Sequence, residues 1–500
     1  MRKSTSTYNF DRSAMASDTI SVDFSKKTGK RIMPLHGVNS GPRTKSFVYD
    51  ARPQFVKLGI PSVRLHDVEY PFGSGEYVDI PCIFKNFDAD ENDPASYNFA
   101  LTDEYIRASL SVGSKIFYRL GVSIEHSPVK RYTFPPKDYA KWARICEHII
   151  RHYNEGWADG HHWSIEHWEI WNESDAESTK TWAGTQRQFI EFYTVAAKHL
   201  KSCFPSLKIG GCGFTGGRPD NVELFLDGIS ENGAPLDFLS FHTYSNTPDK
   251  ALALWNRFRK KLNAVGYPDA ETMLTEWNYM GSWDSKIQPL YYPAMKDHRG
   301  AAFYGTMLCA MQRYTDLTLA HYFEADVVKE FCGIFDVEEM RVSITNPAKL
   351  KPTKGFYAFK YFNMLYRMGN EAEISENEQD TVYALAACGE AACGDPACGD
   401  PACGDPACGV VVASQADFPV KLQLSLKGAS GDLTVRVTDG IRTNEVLRVV
   451  CAEEAESFSV TLPPHSLLYV GTDLCDPTPT YEENPYRSVS TAAPKDAFFD

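Results

Sequence analysis

A chain of 500 residues with 43% hydrophobic and 23% charged residues can bury a large core without covalent staples, and its length suggests two or three domains. A net charge of −14 and a pI near 5.5 argue against a nucleic-acid surface or an anionic membrane as partner and leave neutral small molecules as the natural ligand class. No run reaches the roughly 18 apolar residues of a membrane span, and the opening MRKSTSTYNFDRSAMASDTI lacks the apolar centre of a secretory signal. Eight of the thirteen cysteines stand singly (Cys82, Cys146, Cys203, Cys212, Cys309, Cys332, Cys451, Cys475) and the total is odd, so reduced thiols in a cytoplasmic protein are expected.

Residues 1–17 read as an N-terminal extension, and 18–30, opening on DTISVDFSKK, as an edge strand lent to a later sandwich. From 31 to 370 one unit repeats, an apolar strand-like run followed by an amphipathic segment. The runs are RIMPLHGVN (31–39), PSVRLH (61–66), KIFYRLG (115–121), HWEIWNE (167–173), LKIGGCG (207–213), LDFLSFHTY (236–244), TMLTEWN (272–278) and LTLAHYF (317–323). Helical spacing is predicted near 50–59, 102–113, 137–153, 184–204, 221–231, 250–265, 298–314 and 355–367; in the fourth, Phe189, Phe192, Val195, Ala196 and Leu200 share one face. Alternating βα units imply a parallel sheet, and eight of them imply closure into a (β/α)8 barrel with its chemistry at the C-terminal strand ends. Asn39, His66, Asn172, Glu173, His242, Tyr244, Glu276 and Asn278 stand at those ends.

Residues 371–475 change to short alternating runs such as VKLQLSL and LTVRVTDG, which predict an antiparallel β-sandwich. A five-residue repeat, AACGEAACGDPACGDPACGDPACG, interrupts it at 386–409 and sets cysteines at 388, 393, 398, 403 and 408. Zinc sites set close pairs of cysteines apart by a finger or ribbon, which an even repeat does not do, so an expanded hairpin loop with no catalytic role is expected, with metal or redox behaviour as the alternative. The tail, 476–500, is Pro-, Ser- and Thr-rich and aperiodic.

Two glutamates carry the chemistry. Glu173 follows the fourth barrel strand and Glu276 the seventh, and those strands face one another across the mouth of an eight-stranded barrel. Cleavage of a glycosidic bond needs such a pair, one carboxylic acid to protonate the leaving oxygen and one carboxylate to attack or to activate water. A single glutamate at a barrel mouth could equally be a structural ion pair; two, each flanked by Trp and Asn, point to catalysis.

EIWNES resembles the Trp-Asn-Glu acid/base signature of the retaining clan A glycosidases, and LTEWN resembles their strand-seven nucleophile. SVRLHD, SFHTYS, HYFEADVVKE, GIFD and KPTKGFYAFKYFNML narrow the likeness to glycoside hydrolase family 39, which includes β-xylosidases and α-L-iduronidases. The resemblance implies that Glu173 is the acid/base and Glu276 the nucleophile. It further implies that Asn172 holds the sugar 2-hydroxyl, that His66 binds a ring hydroxyl, and that His242 and Tyr244 flank the nucleophile. Burial and the charge of Glu276 should then hold a proton on Glu173 near neutral pH.

Ser174 stands where the family commonly has proline, and Tyr322 where its xylosidases have a Trp flooring the sugar site. Lys329-Glu330 replaces a Glu-Glu pair, placing a cation where a hydroxyl acceptor is expected and leaving room for an acidic sugar. Two decoys are set aside. GCGFTG (211–216) matches a dinucleotide fingerprint, but Arg218-Pro219 separates it from the next helix. HIIRH (148–152) has metal-ligand spacing but no adjacent Glu, and its helix is expected to present a solvated face.

The resulting expectation is a cytoplasmic, retaining exo-glycosidase, β-xylosidase-like, without cofactor or metal, acting on short plant-type oligosaccharides. It has no nucleic-acid or membrane partner and is compatible with a homo-oligomer. Other specificities (α-L-arabinofuranoside, β-galactoside, uronide) and a non-catalytic carbohydrate-binding barrel stay open.

Overall fold

The computed structural model describes residues 16–43, 49–70, 73–176, 179–327, 330–339, 349–376, 382–390, 406–451 and 454–477. Eight parallel strands close into a barrel in chain order: β1 (Gly37–Asn39), β2 (Ser62–Leu65), β3 (Lys115–Leu120), β4 (His167–Ile170), β5 (Lys208–Phe214), β6 (Phe238–Ser245), β7 (Glu271–Tyr279) and β8 (Leu317–Tyr322). Each expected amphipathic segment is a helix on the outside. The helix Tyr139–Glu155 is capped by the Asp138 side chain on Lys141 N and ends at Gly156 in the left-handed region (φ 79°), burying Trp142, Ile145 and Ile149. The helix Gln186–Cys203 starts in a capping box formed by Thr185 and Gln188.

Strand alternation sorts the barrel interior into layers. Phe117, Phe238 and Met273, with Leu319, fill its N-terminal end. Above them the interior is polar: Ser62 Oγ lies 2.9 Å from His321 Nε2, and Ser240 and Thr275 donate to Glu169 Oε1 at 2.6 and 3.3 Å. Buried polar groups are costly unless paired, and Glu169 at the centre of this layer is paired through both carboxylate oxygens, Oε1 by Ser240 and Thr275 and Oε2 by Arg64.

The second sheet has nine strands. After the leading strand Ala16–Arg31 come β9 (Asn370–Glu376), β10 (Tyr383–Glu390), β11 (Pro406–Ser414), β12 (Val420–Lys427), β13 (Leu433–Thr438), β14 (Glu445–Val450), β15 (Phe458–Leu462) and β16 (Ser466–Gly471). Their spatial order is β14-β13-β16-β11-β10-β9-leading strand-β12-β15, antiparallel throughout except between the leading strand and β12. One face closes over its own core, with Ile20, Val22, Val410, Val412, Leu422, Leu424 and Leu468. The alternate residues Val411, Ala413, Leu467 and Tyr469 join the barrel's core. The helix His298–Tyr314 lies against them closely enough that a Cβ on Gly305 would sit 2.6 Å from Leu467 Cδ1 and 2.9 Å from Ala413 Cβ.

Three expectations need correction. The leading strand is not an edge: it bonds β9 on one side and β12 on the other, because its alternating Ile20, Val22 and Phe24 bury a whole face. The repeat is not all loop, since 386–390 and 406–409 are strand and Cys388 pairs across from Cys408, both buried and both free thiols; Cys393, Cys398 and Cys403 lie outside the described residues. His152 is not on a solvated face but 2% exposed, its Nδ1 2.9 Å from the Trp157 carbonyl. Among the described residues no helix is long and apolar enough to cross a membrane.

Candidate active site

Two local irregularities aim the glutamates into the mouth. On β7, Leu274 pairs with Phe241 and Glu276 with the next residue, His242, so two residues of β7 oppose one of β6. This bulge turns both Thr275 and Glu276 inward and sends Trp277 outward, fully buried among Phe303, Tyr304, Tyr322 and Phe359. After β4, Trp171 (φ 73°) and Glu173 (φ 47°) both take left-handed backbone. Trp171 therefore packs outward against Trp142, Trp182 and Phe192, while the Asn172 and Glu173 side chains enter the barrel. The bend is pinned by Glu173 N donating to the Cys212 and Gly213 carbonyls at 3.2 and 3.0 Å, and by Thr181 Oγ1 donating to the Glu173 carbonyl at 2.8 Å.

Glu276 is held from three sides. Arg64 Nη1 donates to Oε1 at 2.8 Å and Tyr244 Oη to Oε2 at 2.7 Å, while His66 Nε2 lies 3.6 Å from Oε1. A 2.8 Å hydrogen bond joins His242 Nδ1 to Glu173 Oε1, and the same nitrogen is 3.5 Å from Glu276 Oε2. A carboxylate oxygen of each glutamate and the histidine nitrogen all lie within 4.8 Å of one another. Geometry alone would let this trio hold a cation, but Arg64 and Tyr244 already satisfy Glu276.

Burial pushes the Glu173 carboxyl up to about 8, helped by the charges of Asp175 and Asp67 and opposed by Arg64. The like charge named by the sequence was that of Glu276; Asp175, two residues along, is the larger contributor here. Burial also raises Glu276, against the pull of His242, Arg64 and the Tyr244 hydroxyl. His242 is pushed down to about 4 by burial, which keeps it neutral.

Of the predicted binding residues, His66, Asn172, His242 and Tyr244 meet around the glutamates. The Asn172 Oδ1 accepts from Arg64 Nη2 at 2.7 Å, leaving Nδ2 without a hydrogen-bond partner. Tyr322 is not there. Its side chain is 0% exposed, with its hydroxyl accepting from Gly333 N and donating to the Phe331 carbonyl. The reason is alternation: Leu319 and His321 point inward on β8, so Tyr322 points out toward the helices and Phe323 takes the mouth. The Phe323 ring lies 6.5 Å from His66, 6.4 Å from Tyr244 and 5.7 Å from Phe331. Lys329 lies outside the described residues; Glu330 is exposed, beside Tyr292.

Arg64 is the residue that sequence reasoning missed. Fully buried on β2, it donates to Glu169 Oε2 (2.7 Å), Asn39 Oδ1 (3.0 Å), Asn172 and Glu276, tying the interior layer to the ends of both glutamate-bearing strands. Beneath His66 a second buried arginine, Arg119, donates from Nε to His66 Nδ1 at 3.2 Å and from Nη2 to Asp79. The signal was present in SVRLH and FYRLG, an arginine on the inward phase of an apolar strand. Trp283, 55% exposed, meets Tyr244 edge-on at 5.1 Å and extends the aromatic wall outward. The glycine fingerprint has a local explanation too. At Gly213 (φ 56°) a Cβ would come within 2.9 Å of His242 Nε2 and 3.0 Å of both Arg64 Nη2 and Asn172 Oδ1.

Residues 49–260 match the sequence profile of glycosyl hydrolases family 39. The chain is similar to a β-xylosidase of Geobacillus stearothermophilus, 25% identical over 341 residues, covering 60% of this chain and 64% of the relative. It is also similar to a β-xylosidase of Caldicellulosiruptor saccharolyticus, 27% identical over 292 residues, covering 52% and 55%. The chain thus spans less than two thirds of the length of these curated relatives. Among solved structures, a glucosidase from Croceicoccus marinus superposes with a TM-score of 0.69 at 22% identity, covering 92% of this chain and 100% of the other. A family 39 β-xylosidase from Caulobacter crescentus gives 0.62 at 17% identity, covering 91% and 100%. At those identities the structures bear on the fold alone: a barrel with an appended sandwich.

Proposed function

From the match of residues 49–260 to glycosyl hydrolases family 39, we propose that the chain is a member of that family and a retaining glycosidase cleaving terminal sugars from short plant-type oligosaccharides, with β-xylosides as the first substrate class. The observation that carries this is the proximity of the two carboxylates, with oxygens within 4.8 Å. Double displacement uses carboxyl groups about 5–5.5 Å apart, whereas inversion leaves room for a water at roughly 6.5–9.5 Å.

Glu276 attacks the anomeric carbon as Glu173 donates its proton to the glycosidic oxygen, so the C–O bond breaks and a glycosyl ester forms on Glu276. Glu173, now a carboxylate, takes a proton from water; the hydroxide adds to the anomeric carbon and Glu276 leaves, restoring both groups. Glu173 is suited to the acid role because burial keeps its proton on near neutral pH. Glu276 is suited to attack because Arg64 and Tyr244 orient and partly neutralise its charge. The open Nδ2 of Asn172 is the donor for the sugar 2-hydroxyl, an interaction that strengthens in the oxocarbenium-like state. The wall of Phe323, Tyr244 and Trp283 supplies the ring contact assigned from sequence to Tyr322.

The test is hydrolysis of nitrophenyl β-xyloside, α-arabinofuranoside, β-galactoside, β-glucoside and uronide by wild type, Glu276→Ala and Glu173→Ala. Azide should rescue Glu276→Ala to a glycosyl azide of inverted configuration and Glu173→Ala to one of retained configuration. Hydrolysis that survives the loss of Glu276 refutes the reading.

A further inference from the structure

Outside the barrel, a cluster unrelated to the glutamates joins three elements. Asp103 lies in the first turn of the helix Ala100–Ser111, His152 in the last turn of the helix Tyr139–Glu155, and His161 in the connector that feeds β4. Asp103 Oδ1 is 3.2 Å from His152 Nε2, and its Oδ2 is 3.1 Å from His161 Nε2; the three donor atoms fall within 4.8 Å of one another. Two ligands held about 2.0–2.1 Å from a tetrahedral zinc stand roughly 3.3 Å apart, so these spacings suit an ion placed between them.

The hydrogen bonding favours the same reading. His152 Nδ1 sits 2.9 Å from the Trp157 carbonyl, an acceptor only, so Nδ1 carries a hydrogen, and Nε2 is the atom turned toward Asp103, 3.2 Å from Oδ1. In the neutral ring that Nε2 carries a lone pair, which sits well against a carboxylate only with a cation between them, and a ring N–H on a backbone carbonyl is the usual outer support of a metal-ligating histidine; the competing state is the imidazolium, in which Nε2 donates to Asp103. His161 Nε2, although near Asp103, is buried without a hydrogen bond of good geometry. Both rings are locked in place, His152 stacked on Phe99 at 3.6 Å and His161 on Trp163 at 3.8 Å. The Asp103 and His161 side chains keep 17% and 20% of their surface exposed, enough for an ion to enter and for water to complete its coordination.

We propose that Asp103, His152 and His161 form a divalent zinc-type site, two histidines and one carboxylate with a water position, which staples the connector Gly156–Glu166 to the helices behind it. Because that connector leads straight into β4, the ion braces the strand that carries Asn172 and Glu173 without touching substrate. The neighbouring trio Glu147, His199 and Cys203 is the weaker candidate, since Arg151 already pairs with Glu147 at 2.8 Å.

The experiment uses the full chain, stripped with a chelator and titrated with cobalt(II) while visible d–d absorption is recorded, then with zinc to displace it. Wild type should bind one equivalent with the intense bands of low-coordinate cobalt, and zinc should raise its melting temperature. His161→Ala and Asp103→Asn should lose both responses; His199→Ala should keep them. The pair of variants guards against a misfolded His161→Ala, because Asp103→Asn preserves shape. An absence of cobalt bands and of any zinc-dependent melting shift in wild type overturns the site, leaving an imidazolium–carboxylate clamp in its place. So do bands that survive in both variants or vanish in His199→Ala.

Discussion

Replacing Glu173 with glutamine should stabilise the protein, and increasingly so as the pH rises. The folded carboxyl titrates at about 8 against an ordinary 4.5. Between those values the folded state holds a proton that the unfolded chain has released, so stability falls with rising pH through this window and the loss is complete above about 8. At about 1.4 kcal/mol per pH unit the ceiling is about 5 kcal/mol. The 17% of the side chain that solvent reaches lowers this to on the order of 2–3 kcal/mol. For a chain of this length that is about 2–3 °C in melting temperature. Scanning calorimetry of wild type and Glu173→Gln from pH 5 to 8.5 should show curves that diverge with pH, the variant melting higher at the alkaline end. On the proposed mechanism the same titration should place the alkaline limb of wild-type kcat/KM near pH 8, because loss of the Glu173 proton would remove the acid. Parallel melting curves, or a variant that gains stability only toward acid, would refute the argument that burial loads this carboxyl with a proton.

Three further outcomes follow from the geometry. Arg64→Met leaves Glu169 and Glu276 as uncompensated buried carboxylates and should destabilise by about 3–5 kcal/mol, abolishing hydrolysis as it does so; a wild-type melting temperature would remove the arginine from its central place. Tyr244→Phe deletes the 2.7 Å donor to Glu276 Oε2 and should cost about 1.5–3 kcal/mol, or roughly 10–150-fold in kcat/KM. Because that donor favours the ionised carboxylate, its loss should also move the acidic limb to higher pH. Phe323→Ala should raise KM as well as lower melting, because Phe323 is buried, while Tyr322→Phe should lower melting and leave KM alone; a KM that responds to Tyr322→Phe and not to Phe323→Ala would reinstate Tyr322 as the sugar floor.

The contrast between those neighbours shows where sequence reading succeeds. Period-two and period-3.6 patterns are long-range averages, so eight strands, eight helices and a change to antiparallel structure near 370 were all legible. Glu173 and Glu276 were legible because Trp-Asn-Glu and Thr-Glu-Trp are local signatures. What a single side chain faces depends on phase, and phase is reset by events the letters do not mark. The bulge at Leu274–Glu276 and the left-handed turns at Trp171 and Glu173 each rotate the pattern by one residue. Without the phase of β8, Tyr322 and Phe323 could not be told apart. Arg64 went unnoticed for a related reason: an arginine inside an apolar strand reads as the polar half of an alternation, and only closure of the barrel reveals that half as the interior. The place of the leading strand was hidden because both its partners lie at the far end of the chain.

That strand sets a condition on how the protein is made. Its two neighbours, β9 and β12, are roughly 350–400 residues downstream, so at about 5–20 residues per second the ribosome delivers them some 20–80 s after the strand itself emerges. For that interval Ile20, Val22 and Phe24 have no sheet to join, while the barrel condenses behind them. The basic residues Lys26, Lys27, Lys30 and Arg31 at the strand's end repel like strands on neighbouring nascent chains and keep the waiting segment from pairing with the wrong partner.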